Sequence, residues 1–441
     1  MLFGPAGAGA STVELQQVNF CTNTGSDCRY MSYSSGLVLR FDGESAERNR
    51  VLVRRDGGAL LVGDAGANVR PGSGCVAVDA HTARCDPQTT PLVGYRLDGN
   101  DGDDVIAIAG GLSPAHALAQ PRLLLGGSGA DDLIDGLDAS TLAGGAGADR
   151  MSGGEGADRF FGFNYDTAEA AERDDAASDV VDGGPGTDTV DYRARRADLD
   201  LTLDGAAPGG GERGERDRLQ GVETVLGGRG ADHLVGSAGP DRLEGNGGAD
   251  RLRGGAGDDA LIGGLGSDDV RGGRGDDRVG TGGHGRGDGG DRALCGPGRD
   301  VVGEYLPDDF FGDSWGGPDA TDVLSTDCEG VPFGSDLDGG LDIRLDARPR
   351  RRGGTWTFAN PCVQARMRSC SGRLDLALPG ASPFARKSFR ATGRVIVRLG
   401  PRNVRRIARA RRVSLRVKVQ TRRQSGDRRE AAFTLSLAPP G

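Results

Sequence analysis

The chain has 441 residues, 79 of them Gly, with 36% hydrophobic and 5% aromatic residues and a net charge of −10. Gly at more than twice the usual ~7%, beside so little apolar and aromatic content, argues against one large mixed core and asks for a special backbone. No Gly-X-Y run of period three is present, which excludes collagen, and no stretch approaches 18 consecutive apolar residues, which excludes an apolar membrane span. At ~100–200 residues per domain the length predicts two to four structural units. The charge is divided: residues 341–441 carry 25 Lys+Arg against 5 Asp+Glu, and residues 1–340 carry 29 against 59. An acidic body that dense repels nucleic acid and attracts cations.

Residues 1–10, MLFGPAGAGA, end in Ala8-Gly9-Ala10, a small-x-small pattern like a signal-peptidase site, without a basic start or a full apolar segment. They read either as the remnant of a truncated signal peptide, making the protein secreted, or as a loose terminus. Residues 11–97 read as all-β. Gly36–Phe41, Arg50–Arg54 and Ala59–Val62 are apolar or alternating runs between Asp/Gly turns, and Tyr95-Arg96-Leu97 leads into the Gly-rich centre of the chain. This region is predicted as a β cap stacked on a solenoid, or else as a small β-domain of its own. The eight cysteines fall into the near-neighbour couples Cys21/Cys28, Cys75/Cys85, Cys295/Cys328 and Cys362/Cys370. None is Cys-x-x-Cys, so zinc and thioredoxin chemistry are weak readings. Sequential disulfides in an oxidising compartment, or buried free thiols, are the alternatives.

The centre of the chain is periodic. Residues 227–280 divide into six units of nine: GGRGADHLV, GSAGPDRLE, GNGGADRLR, GGAGDDALI, GGLGSDDVR and GGRGDDRVG. The sixth position is always Asp (Asp232, Asp241, Asp250, Asp259, Asp268, Asp277) and the eighth always Leu or Val (Leu234, Leu243, Leu252, Leu261, Val270, Val279). The same frame places Asp104, Asp131, Asp149, Asp158 and Asp188 at sixth positions earlier, with Ser140 standing where an Asp is due. The repeat region is set at 98–302, with 162–182 and 192–226 as insertions and Cys295–Val302 as a decayed copy.

These nonapeptides resemble the RTX, or haemolysin-type, calcium-binding repeat. The resemblance implies a parallel β-roll or β-helix in which each unit is a turn plus a short strand, two units making one coil. It implies Ca²⁺ held between successive turns by the sixth-position carboxylates and turn carbonyls. The donor chemistry agrees independently: regular carboxylate and carbonyl oxygen, with no regular His or Cys, suits Ca²⁺ better than zinc, copper or strictly octahedral Mg²⁺. With two units per coil, Asp232, Asp250 and Asp268 line one edge and Asp241, Asp259 and Asp277 the other, giving four inter-turn sites.

Residues 303–340 read as an irregular disulfide-closed segment. In 341–441, Arg394–Arg398, Val413–Val419 and Ala431–Leu437 alternate apolar and basic residues, with a short helix or turn in Pro401–Arg412. They predict a small basic β-sandwich whose Arg face suits an anionic cell-wall polymer or polysaccharide, or simply a solubilising surface. Catalytic patterns are weak. HExxH is absent, and His81, His116, His233 and His284 are isolated. Gly312-Asp313-Ser314-Trp315-Gly316 matches G-x-S-x-G, but it lacks the strand-to-helix setting and no His follows. The sequence therefore predicts a non-enzymatic secreted calcium-binding protein of structural or adhesive role; the alternative is a β-helix carbohydrate-active enzyme carrying the repeats.

Overall fold

The computed structural model describes residues 10–21, 33–44, 47–112, 122–137, 139–161, 177–203, 210–212, 214–280, 291–298 and 300–302. Beyond these it describes residue 383 and strands lying within 323–325, 331–333, 341–343, 350–352, 355–358, 369–377, 385–390, 395–398, 413–422 and 428–437. All elements among them are strands. The chain divides into two compact units, Met1–Arg195 with Leu201–Val225, and Arg196–Asp200 with Leu226–Gly441.

In the first unit the chain alternates between two parallel ladders of strands. One runs Leu92–Asp98, Arg122–Ser128, Thr141–Ala146, Arg159–Phe161, Thr189–Asp191; the other runs Val105–Ala109, Asp132–Ile134, Arg150–Ser152, Val180–Asp182, Arg218–Gln220. The period fixes the register. Leu124 pairs with Leu142 and Leu142 with Phe160, one coil of two nonapeptides apart, so like side chains stack. Leu124, Leu142 and Phe160 are fully buried, as are Ile106 and Leu133 in the other ladder. A second buried cluster, Leu123, Leu125, Ala143 and Phe161, belongs to the positions next to these core residues, whose side chains take the opposite face of the strands.

The N-terminal region continues the same two sheets. Tyr33–Asp42 pairs in parallel with Leu92–Asp98, and Arg50–Asp56 with Val105–Ala109. Antiparallel strands then close the stack: Ala10–Cys21 against Tyr33–Asp42, Ala59–Asp64 against Arg50–Asp56, and Thr82–Cys85 against Ala59–Asp64. Strand edges that would otherwise be open are thereby paired. Cys75 and Cys85 stand opposite each other in the last hairpin and form a disulfide with Cα atoms 4.0 Å apart. Cys295 is also disulfide-bonded. Cys28, Cys328 and Cys362, with the side chains of Cys21 and Cys370, lie outside the described residues, as do Ser314 and residues 401–412.

Two stretches expected as insertions contribute strands. Val180–Asp182 lies in 162–182, and Asp200–Thr202, Arg218–Gln220 and Thr224–Leu226 lie in 192–226, with Val181, Leu201, Leu219 and Val225 buried. A strand in this fold needs only one buried apolar residue in register, so its turn can lose the Gly signature and hide it from the sequence.

In the second unit His233–Val235, Arg251–Ala256, Asp269–Arg274 and Arg292–Leu294 stack in parallel, as do Arg242–Glu244, Ala260–Ile262, Arg278–Gly280 and Val301–Val302. The six eighth-position residues are no more than 1% exposed. Val323–Ser325 extends the first ladder and pairs in parallel with Arg428–Leu437. From there the sheet runs antiparallel through Val413–Arg422, Ser369–Ala377 and Ala385–Arg390. A separate antiparallel sheet holds Arg350–Arg352, Thr355–Phe358 and Val395–Arg398. A further antiparallel pair joins Val331–Phe333 to Leu341–Ile343, and the larger sheet is continuous with the roll's ladder rather than detached from it.

Candidate metal centre

Each sixth-position Asp sits at the end of a Gly-rich turn, just before its strand, and all eleven are between 0 and 4% exposed. The turn places the carboxylate against the preceding coil. Asp250 Oδ1 accepts the N–H of Asp232 at 2.7 Å and Asp268 Oδ1 that of Asp250 at 2.9 Å. Asp259 Oδ1 accepts from Asp241 and Asp277 Oδ1 from Asp259, each at 3.0 Å. Asp232 and Asp241 thus stand on different ladders, as two nonapeptides per coil require. In the first unit the rungs are Asp104, Asp131 and Asp149 on one ladder, linked at 2.8 and 2.9 Å, and Ser140, Asp158 and Asp188 on the other, linked at 2.7 and 2.8 Å.

The second carboxylate oxygen carries the chemistry. Oδ2 of Asp104, Asp131, Asp158, Asp188, Asp250, Asp259 and Asp277 is buried and makes no hydrogen bond. It points at the first Gly of its own unit, where only Gly fits. A Cβ at Gly245 would lie 2.2 Å from Asp250 Oδ2 and 2.4 Å from the Gly263 carbonyl oxygen. At Gly126 the distances are 2.3 Å to Asp131 Oδ2 and 2.5 Å to the Gly144 oxygen, and at Gly254 they are 2.2 Å to Asp259 Oδ2 and 2.6 Å to the Gly272 oxygen. Each turn therefore keeps a cradle in which a buried carboxylate oxygen and a carbonyl oxygen from the next coil converge. A buried carboxylate oxygen without a donor is costly, and a hard cation supplies what is missing. Among the described residues no three His, Cys, Asp or Glu side chains gather as a metal-holding group. The donors at each cradle are instead carboxylate and main-chain oxygens, the mixture that suits Ca²⁺.

Without a cation the carboxylates are strained toward protonation. Burial pushes Asp131, Asp250 and Asp259 up to about 7 and Asp104, Asp158 and Asp232 up to about 6; neighbouring carboxylates add to the effect, Asp268 and Asp232 acting on Asp250. Burial also raises Asp188 and Asp277 above the ordinary range.

The ladders extend further than the repeat frame shows. Asp179 accepts from Asp149 N–H and Asp217 from Asp179 N–H, at 2.9 and 3.0 Å, and Glu223 accepts from Asp188 N–H at 2.8 Å. Asp291 and Asp300 continue the second unit, accepting from Asp268 and Asp277 N–H at 2.8 and 2.9 Å. Asp300 was within reach of the sequence, in the decayed copy CGPGRD; Asp179, Asp217 and Asp291 each follow a break in the period. Of the histidines, His233 Nδ1 lies 2.9 Å from Asp200 Oδ1. His81 Nδ1 lies 2.8 Å from the Ala67 carbonyl. His116 and His284 are outside the described residues.

Fold and cradle together define an all-β protein built on a parallel β-roll with oxygen-lined Gly turns. The model of the RTX calcium-binding nonapeptide repeat matches residues 125–160, 173–194, 226–261 and 244–279, and these segments are similar to that repeat. RTX nonapeptide repeats are characteristically calcium-binding. No curated protein is similar to the chain.

Proposed function

We propose that this is a secreted calcium-binding repeat protein whose role is structural or adhesive rather than catalytic, its roll folding as Ca²⁺ binds. The observation that carries the reading is the row of buried Oδ2 atoms of Asp104, Asp131, Asp158, Asp188, Asp250, Asp259 and Asp277, which make no hydrogen bond and each face a Gly cradle and a carbonyl oxygen of the next coil. The sites are assigned to Asp104, Asp131, Asp149, Asp158, Asp188, Asp232, Asp241, Asp250, Asp259, Asp268 and Asp277, with Asp179, Asp291 and Asp300 as further rungs. The Cys75–Cys85 disulfide suits an extracellular compartment, where millimolar calcium is available to sites of ~10⁻⁴–10⁻³ M affinity. Calorimetric titration of the calcium-depleted full chain with CaCl₂ tests the reading. Several bound ions are expected, with fewer in the Asp250→Ala plus Asp259→Ala variant. No heat, or heat unchanged in that variant, contradicts it.

The basic C-terminal strands are the part of the chain whose charge suits an anionic cell-wall polymer or polysaccharide. Co-sedimentation with teichoic-acid-bearing and stripped cell walls tests this: binding that salt abolishes and that stripping removes is expected, and equal retention on both contradicts it.

A further inference from the structure

The last rung of the first unit's longer ladder is built differently from the others. Asp217 accepts the Asp179 N–H as a rung should, but its Oδ2 takes a hydrogen bond from the buried Tyr192 hydroxyl at 3.1 Å. Its cradle is filled by a second carboxylate. A Cβ at Gly211 would lie 2.3 Å from Glu215 Oε2 and 2.7 Å from Asp217 Oδ2. Beside these acids lies one cation of the protein's own. Arg195 Nη1 is 3.3 Å from Glu215 Oε1 and 3.7 Å from Glu212 Oε1, with the Arg195 side chain 6% exposed and that of Glu215 2%. The Glu212 N–H donates to the other Glu215 oxygen at 2.7 Å.

We infer that Arg195 takes the place of a calcium ion at this rung, so that Tyr192, Arg195, Glu212, Glu215 and Asp217 close the end of the ladder without bound metal. The inference rests on the calcium reading of the other rungs. Its physical reason is positional. Among the described residues Arg218–Gln220 is the last strand of its sheet, so no further strand of that sheet brings up the carbonyl oxygen that the other cradles use. A guanidinium is charged at any ordinary pH and is attached to the chain, so it neutralises the carboxylates whether or not calcium is present. Removing one member of such a buried pair leaves the others as uncompensated buried charge.

Amide hydrogen exchange on the full chain, first depleted of calcium and then in millimolar CaCl₂, tests this. In the wild type the Asp104, Asp131 and Asp232 amides are expected to lose protection roughly tenfold or more on depletion, while the Glu212 and Asp217 amides keep theirs. In Arg195→Gln the Glu212 and Asp217 amides should become calcium-dependent, unprotected in depleted buffer and recovered with CaCl₂. Equal loss at Glu212 and Asp217 in the depleted wild type overturns this inference alone. No calcium response at any rung overturns the calcium reading and this inference with it. Loss in Arg195→Gln that CaCl₂ does not restore shows a packing role and also overturns it. If Arg195→Gln does not accumulate as folded chain, Arg195→Gln plus Glu215→Gln, which removes both charges, should keep calcium-independent protection at Asp217; loss there overturns the inference.

Discussion

At the scale of one residue, Asp104, Asp131, Asp158, Asp188, Asp250, Asp259 and Asp277 each do two jobs that their oxygens divide. Oδ1 satisfies a backbone N–H of the neighbouring coil, and Oδ2 is left for a cation. The chain also shows the amide solution. Asn49 stands where a carboxylate would precede Asp104, and its Nδ2 donates to the Gly99 carbonyl at 3.1 Å and to Asp104 Oδ1 at 3.2 Å. Asn49→Asp replaces that donor by a second carboxylate. It is expected to lower the melting temperature in calcium-depleted buffer, with recovery in CaCl₂ and one more ion bound per chain by calorimetry. A variant that melts like the wild type without calcium contradicts the cradle account. Gly245→Ala tests the cradle from its other wall. A methyl group 2.2 Å from Asp250 Oδ2 and 2.4 Å from the Gly263 oxygen forces both apart, with an overpacking loss of about 1–3 kcal/mol and weaker calcium binding. Leu252→Ala, by contrast, removes a fully buried side chain stacked between Leu234 and Val270. It should cost about 2–5 kcal/mol without changing the number of ions bound.

At the scale of the element, a ladder is a column of buried acids whose protonation depends on its neighbours. Because the folded, metal-free Asp groups titrate at about 6 to 7, above the ordinary carboxylate value, the folded chain binds more protons than the unfolded one between those limits. Their stabilisation is fully present below the ordinary value and is lost as pH rises through 6 to 7. Calcium-depleted chain should therefore melt higher at pH 5 than at pH 7.5. Calcium needs the ionised carboxylates, so the gap between melts with and without CaCl₂ should narrow toward pH 5. A calcium-free melting temperature that climbs from pH 5 to 7.5 contradicts the burial of these groups. The ladders were also the most legible part of the sequence. In residues 227–280 the turn demands Gly where the carboxylate and the next coil's carbonyl approach, and Asp where the N–H must be met. Both demands repeat every nine residues, so the members can be assigned from the spacing, and their division between two edges follows from the two units per coil that the resemblance implies. Where a loop or a different turn intervenes, the demands remain but the spacing does not. Asp217 and Asp291 were hidden for that reason, and so was Arg195, whose partners Glu212 and Glu215 come together only when the coil closes.

At the scale of the whole molecule, its regions differ in what holds them folded. The N-terminal strands bury large side chains such as Phe41, Leu60 and Tyr95, pair antiparallel at the closed end, and carry the Cys75–Cys85 link. The nonapeptide coils of 227–280 bury little beyond one Leu or Val per unit and spend the rest of their length on Gly and Asp. Gly is entropically costly to order, by ~0.5–1 kcal/mol relative to Ala in regular structure, and the stacked carboxylates repel one another. An ion that binds only the folded coil adds RT ln(1 + [L]/Kd), ~2.7 kcal/mol per independent site at a hundredfold excess. Successive rungs on one ladder are linked, since the Asp250 Oδ1 holds the N–H of the preceding rung, Asp232, while its Oδ2 lies beside the Gly263 carbonyl of the following coil, so successive sites should fill cooperatively. Withdrawing calcium from the full chain is therefore expected to divide it. Peptides from 227–280 should become sensitive to limited proteolysis and should lose amide protection together, over a narrow range of calcium concentration. Strands Arg50–Asp56, Ala59–Asp64 and Thr82–Cys85 should hold theirs. Reduction of the Cys75–Cys85 disulfide should reverse the order of sensitivity, loosening these strands while calcium-loaded 227–280 stays protected. If both regions respond alike to calcium depletion, or 227–280 keeps its protection without the ion, then the apolar stack and strand hydrogen bonds alone hold the roll, and calcium is incidental to its folding.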